Sequence, residues 1–258
     1  MGSNPILSAK IKLRAEDKEG LDVRHVRPGA AACALCLAAA MLLCGCGTAE
    51  SAPADSLEAF PNRIELPLMR QGTVYSCGIA ALHSLLRWGS YDWDVNDQYL
   101  MEDCGTTEEN GTPIEGIVDY LEYTGLFELS WKENMTAQEL RAAIDEDGVV
   151  LMPIQAWDGT VDEDGNTVWF EAEDYADHWS AGHWVIACGY NEADVLFMDP
   201  GTAGTYTSMS WEDLELRWHD SADYVDDETP FTRVEHAGLT VFKQGGEVFD
   251  RARVYPLG

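Results

Sequence analysis

RQGTVYSCGIAALHSLLRWG, from Arg70 to Gly89, changes character at a single cysteine. Upstream of Cys77 the stretch is a polar loop. Downstream, Ile79, Leu82, Leu85 and Leu86 recur at helical spacing, and Gly89 supplies a C-terminal stop. The pattern predicts a helix whose first turn contains Cys77. In that position the unpaired N–H groups and the helix dipole favour the thiolate, which is the reactive form of cysteine. A free cysteine is also among the most buried residue types and packs as a small hydrophobe. Position alone therefore leaves a reactive and a structural reading open, and the decision falls to residues elsewhere in the chain.

Gln71, six residues before Cys77, is placed to donate its amide to a developing oxyanion beside the Cys77 backbone N–H, as acyl transfer requires. A thiol also needs a base, and the candidates are His83, His178, His183, His219 and His236. His83 lies about 240° around the same helix and reads as a helix-surface or satisfied core histidine. His183 opens the apolar run HWVIACGY directly after Gly182, and the next run, DVLFMD, delivers Asp199 just before Pro200. Their even separation lets both side chains lie on one face of a hairpin. A carboxylate there holds the orientation and tautomer of an imidazole. Taken alone, Asp199-Pro200 is equally a turn at a strand end. His178, whose DHW imitates the GHW around His183, is the reserve base.

Together the segments QGTVYSCG, GHWVIACGY and MDPG resemble the papain-like cysteine peptidases of the C39 family, the bacteriocin-leader peptidases and their free-standing relatives. The resemblance covers roughly Pro67 to Trp218. It implies Gln71 in the oxyanion hole, Cys77 as nucleophile, His183 as base and Asp199 as its orienting carboxylate. It also implies a papain-like α+β fold, with an N-terminal helical part carrying the cysteine and a C-terminal antiparallel sheet carrying the histidine and aspartate. Two positions depart from the family pattern: Ser76 stands where Asp is common, and Ile79 where Pro commonly follows Cys-Gly. Neither removes a catalytic group. No transporter or ATPase segment follows, so cleavage at a double-glycine leader is not carried over.

The 258 residues suffice for a substantial core. A formal charge of −30 disfavours nucleic-acid phosphates and anionic lipid head groups as partners, and otherwise serves solubility. The acid is concentrated downstream. The first 46 residues hold 6 Lys/Arg and 4 Asp/Glu, leaving 10 basic and 42 acidic residues, a formal −32, in the remainder. At the N-terminus, Arg24 and Arg27 precede the uncharged run Gly29 to Leu43, which meets Cys44-Gly45-Cys46. As a helix this run reaches about 22 Å, short of the roughly 30 Å hydrocarbon core. It reads as an export signal, and Leu43-Cys44-Gly45-Cys46 resembles a bacterial lipobox, which implies cleavage before Cys46 and diacylglycerol on its sulfur.

The expected organisation is residues 1–46 as signal, 47–59 as a flexible tether rich in Ala, Ser and acid, and 60–258 as the peptidase domain. Cys77, Cys104 and Cys188 belong to the domain, and export permits a Cys104–Cys188 bridge without requiring one. Helices are expected after the Thr112-Pro113-Ile114-Glu115 start and after the Thr136/Glu139 capping box, with Gly125 and Gly148 closing them. Strands are expected at Val149 to Trp157, His183 to Tyr190 and Asp194 to Asp199, then a short helix over SWEDLELRW and a closing strand in GLTVFKQ. Between the first two strands lies an acidic insertion, residues 158–182, whose Asp-Gly pair favours a hairpin or lobe over the site. Its DEDGN spacing does not match the EF-hand order. The chemistry requires no metal or organic cofactor. The expected activity is hydrolysis of a peptide or isopeptide bond outside the cytoplasm, through an acyl-enzyme. An acyltransferase using the same thiol and a binding module that kept the motif are the alternatives.

Overall fold

The computed structural model describes residues 56–91, 95–201, 205–221 and 233–244. The export run, Cys46 and the tether up to residue 55 lie outside the described residues, all of which fall within the unit Glu50–Gly258. A turn of 3-10 helix at Leu57–Ala59 precedes the first strand, and Arg63 Nη1 and Asn191 Nδ2 donate to carbonyls of that turn.

Among the described residues five helices lie alongside one antiparallel sheet: α1 (Cys77–Trp88), α2 (Asp97–Asp103), α3 (Ile114–Thr124), α4 (Ala137–Asp145) and α5 (Trp211–Arg217). The sheet runs β2 (Phe127–Lys132), β11 (Gly238–Lys243), β3 (Val149–Gln155), β6 (Gly182–Tyr190), β7 (Asp194–Met198) and β8 (Tyr206–Ser210). β1 (Asn62–Arg63) pairs with the far end of β6. Two small ribbons stand apart from it: β4 (Gly159–Val161) with β5 (Thr167–Trp169), and β9 (His219–Ser221) with β10 (Arg233–Glu235).

Side chains alternate along a strand, so the central strands supply two cores at once. Val149, Leu151, Ile186 and Cys188 meet α1, α2 and α3 on one face. Val150, Met152, Val185 and Ala187 meet α4 and α5 on the other. All seven residues of β3 are buried, which is why its sequence reads as a continuous apolar run rather than an alternating one.

Gly89 and Gly148 follow their helices as expected, Gly89 as the C-cap, though neither takes the left-handed conformation. Ser90 and Asp147 do, both at φ 63°, with Tyr91 N–H bonding Leu86 O and Gly148 N–H bonding Ala143 O. The glycines are there for room, because a Cβ on Gly89 would collide with the Phe127 ring and one on Gly148 with the Phe242 ring. Thr112 does not cap α3. It is buried, and its Oγ1 bonds Thr106 Oγ1 at 3.0 Å. The Thr136/Glu139 capping box forms as expected. Cys104 and Cys188 are both free and buried, and burial pushes each thiol up to about 12. Among the described residues no helix is long and apolar enough to cross a membrane.

Candidate active site

Cys77 is the first residue of α1. Ser76 precedes it, but its hydroxyl does not cap the helix. Instead Ser76 Oγ accepts from Thr73 N–H at 3.0 Å and closes the loop that carries Gln71. The first-turn N–H groups thus remain available to a thiolate, and the N–H groups of Gly78 and Trp184 stabilise one. Gly78 must lack a side chain, since a Cβ there would stand 2.7 Å from Thr112 Cβ and 3.0 Å from the Trp184 ring. That close approach seats the start of α1 against β6.

His183 Nε2 lies 2.8 Å from Asp199 Oδ1, and both residues are buried. Their shared face depends on a β-bulge. Next to the hairpin turn Tyr190 pairs with Val195 and Gly189 with Leu196, a register that would put Asp199 on the face of Ile186 and Trp184. The shift between Ala187 and Gly189 restores Ala187 opposite Phe197 and Ile186 opposite Met198. Continued outward, that register puts Asp199 on the face of Val185 and His183. A one-residue slip moves every side chain to the opposite face, and here the slip brings the pair together.

Asp199 is held further by Gly201 N–H to Oδ1 at 2.7 Å and Thr207 Oγ1 to Oδ2 at 3.3 Å. Burial raises its carboxyl, but the His183 hydrogen bond and charge, with Gly201 and Thr207, bring it below the ordinary value. The Asp199 bond occupies Nε2 and leaves Nδ1 of His183 for the thiol. Burial pushes the Cys77 thiol up, yet the His183 hydrogen bond, the charge on its ring and the two N–H groups outweigh it and leave Cys77 below its ordinary value. Burial pushes His183 down, while hydrogen bonds to Asp199 and Cys77 and their charges raise it to about 9. These opposite displacements are those of a thiolate–imidazolium pair.

Gln71 is tied to the Asp199 turn by its backbone. Its N–H donates to Pro200 O at 3.0 Å, directly after Asp199, and its Nε2 donates to Thr73 O at 2.8 Å. One amide hydrogen remains uncommitted, and the buried Oε1 has no hydrogen-bond partner among the described residues. The other described histidines are engaged elsewhere, His236 with Glu215. His178 Nε2 is 2.7 Å from Asp158 Oδ2, His83 Nδ1 is 2.7 Å from Asp97 Oδ1, and His219 Nε2 donates to His178 O. His178 therefore serves the insertion, and His183 is the histidine at the thiol.

The insertion forms the expected hairpin, β4 and β5, around Asp164-Gly165. At its root Trp157 is 59% exposed with φ 66°, a conformation rare for a bulky residue. Its Nε1 and the His183 ring both border Gly201, at 3.2 and 3.4 Å from the Cβ position there. Thr207, the Trp184 N–H and Trp157 are site residues that sequence reasoning missed. Trp184 sits inside the GHW motif; the other two carry no comparable sequence signal.

Residues 63–225 match the family model described as the Peptidase_C39 like family. The chain belongs to that family. This member of the Peptidase_C39 like family thus falls among the cysteine peptidases, with the mixed α+β architecture that the resemblance implied. No curated protein matches it. Among solved structures, a C39-like peptidase from Bacillus anthracis is 14% identical, covering 70% of this chain and 99% of the other at a TM-score of 0.46. The peptidase domain of Streptococcus ComA, a bifunctional ABC transporter of a quorum-sensing pathway, is 17% identical, covering 70% and 100% at 0.41. A double-glycine-motif protease from an AMS/PCAT transporter, in complex with its leader peptide, is 16% identical, covering 70% and 94% at 0.39. These are distant likenesses, and membership rests on the family match.

Proposed function

We propose that this C39-like chain hydrolyses a peptide or isopeptide bond outside the cytoplasm, with Cys77 as nucleophile and His183 as its base. The observation that carries the reading is the His183–Asp199 bond at 2.8 Å, which leaves the second ring nitrogen for a thiol at a helix start. Cys77 Sγ attacks the scissile carbonyl. The imidazolium then gives its proton to the leaving amine, and water, deprotonated by His183, releases the acyl group and regenerates the thiol. Asp199 orients the ring and stabilises its charge. The free hydrogen of the Gln71 amide and the Cys77 backbone N–H support the oxyanion. The peptide class of substrate follows from the family, and one similar protease is known with a bound leader peptide.

A peptide-library screen at neutral pH tests this, with Gln71→Ala as the informative variant. Loss of one oxyanion donor lowers kcat by roughly 100-fold to 1,000-fold, about 2.7–4 kcal/mol of transition-state stabilisation. Full turnover in that variant excludes Gln71 from the oxyanion site. Added amine that is incorporated in preference to hydrolysis converts the assignment to an acyltransferase.

The reading of an anchor outside a bacterial membrane is supported by the uncharged run Gly29 to Leu43 and the lipobox-like Cys44-Gly45-Cys46 that follows it. Mass spectrometry of membrane-extracted protein is expected to find a mature N-terminus at a lipid-modified Cys46. An intact N-terminus or an unmodified Cys46 contradicts it.

A further inference from the structure

A strained residue at the root of the insertion stands beside the catalytic pair, and the reaction makes no use of it. Trp157 holds φ 66°, a left-handed conformation that costs a bulky residue free energy and persists only where its surroundings enforce it. Hydrogen bonds on both sides do so here. Ala156 N–H donates to Ala181 O at 2.9 Å, Asp158 N–H donates to Tyr175 Oη at 3.0 Å, and Asp158 Oδ2 lies 2.7 Å from His178 Nε2. The side chain returns little to the fold. It is 59% exposed, and it makes no hydrogen bond or ring contact among the described residues.

What the indole approaches is the reacting histidine. Trp157 Nε1, Asp199 Oδ1 and His183 Cε1 all lie within 3.4 Å of one point, the position that a Cβ on Gly201 would take. With glycine there, no side chain of residue 201 separates the indole from that edge of the imidazole, and the indole N–H keeps a hydrogen to donate. Of the two ring atoms bonded to Nδ1 of His183, Cγ leads back to β6, whereas Cε1 faces Gly201. The amine that takes the Nδ1 proton therefore leaves along the Cε1 edge, where the indole stands.

We propose that Trp157 is a specificity-determining residue for the leaving-group side of the scissile bond: its ring packs on the side chain of the residue directly after that bond, and its N–H donates to a backbone carbonyl of the same segment. The inference rests on the cysteine-peptidase reading and deepens it, since it names the substrate class as peptides with an aromatic or branched aliphatic residue immediately after the cleaved bond. A glycine in that place leaves the ring as wet as it is in the free chain. A phenylalanine or leucine side chain covers it and removes apolar area from water.

Three probes test the proposal on the full chain: two peptides from the library screen that differ only after the scissile bond, phenylalanine in one and glycine in the other, and the methyl ester of their common acyl half, which has no residue on the leaving side. The wild type is expected to favour the phenylalanine peptide in kcat/KM by roughly 10-fold to 100-fold. Trp157→Ala loses that preference and cleaves the ester with the wild-type kcat/KM. Trp157→Phe keeps a ring but no N–H, so the preference stays while both peptides slow by about 2-fold to 10-fold. Trp157→Gly relieves the backbone at φ 66° and is expected to melt close to the wild type with the preference gone. Equal cleavage of the two peptides by the wild type, a preference that survives in folded Trp157→Ala, or an ester rate that falls as far as the peptide rates overturns the proposal. So does a Trp157→Gly Tm well below that of the wild type, which assigns the indole to the fold. An ester that the wild type leaves intact, beside a Cys77 that alkylates as an ordinary thiol, overturns the peptidase reading, and this inference with it.

Discussion

Cys77→Ala is expected to abolish turnover while leaving the fold and its thermal stability nearly intact. The side chain is small and 7% exposed, and its replacement removes a single sulfur atom at the first position of α1. Alanine is a good helix residue, and the contacts that seat α1 belong to Gly78 and the apolar face behind it. The chemistry has no substitute. Cys104 and Cys188 are buried thiols pushed up to about 12, and neither has an imidazole partner. Circular dichroism and calorimetry check the fold, and a peptide assay checks activity. Residual turnover near the wild-type rate would refute covalent catalysis by this residue.

His183→Ala is expected to lower turnover by roughly 100-fold to 10,000-fold, the usual contribution of a positioned acid–base group. The pH dependence specifies the cause. With Cys77 below its ordinary value and His183 raised to about 9, the thiolate–imidazolium pair exists between those two titrations. Activity therefore rises as Cys77 deprotonates on the acid side and falls near pH 9 as the ring loses the proton that the leaving amine needs. The stabilities follow the same signs. The contribution of the raised His183 is present below about 6.5 and lost through about 9, while that of the depressed Cys77 is lost as pH falls through its folded value. In the variant the basic limb disappears. His178→Ala, which removes the Asp158 and Ser180 hydrogen bonds and the ring contacts with Phe170 and Tyr175 within the insertion, leaves the profile unchanged. A large loss there with His183→Ala active would reverse the assignment of the base.

The cysteine at a helix start, the strand beginning at His183 and the Asp199 turn are legible in the sequence because each is a local pattern: an apolar periodicity, a β-branched run, an Asp-Pro step. Their convergence is less so. Even separation of His183 and Asp199 places them on one face only because the register shifts between Ala187 and Gly189, and nothing in HWVIACGY announces a bulge. The glycines carry a second constraint that the sequence does not show. Gly89 and Gly148 mark helix ends in sequence, yet they are required by the rings of Phe127 and Phe242, contacts made across the fold. β2, β8 and the β9/β10 ribbon escape detection because they are short or half exposed and depend on tertiary pairing for definition. Gln155 and Asp220, 65 residues apart, form a hydrogen-bonded pair that no local pattern could reveal.

The central claim is that Cys77 is an activated nucleophile, and the most direct measurement is the pH dependence of its alkylation in the folded wild-type chain, with the modified residue mapped by mass spectrometry. The account predicts modification at Cys77 that persists well below the unperturbed thiol value of about 8.5, with Cys104 and Cys188 unmodified until the chain unfolds. Alkylation of Cys77 that follows an ordinary thiol, or that falls first on Cys104 or Cys188, would contradict it.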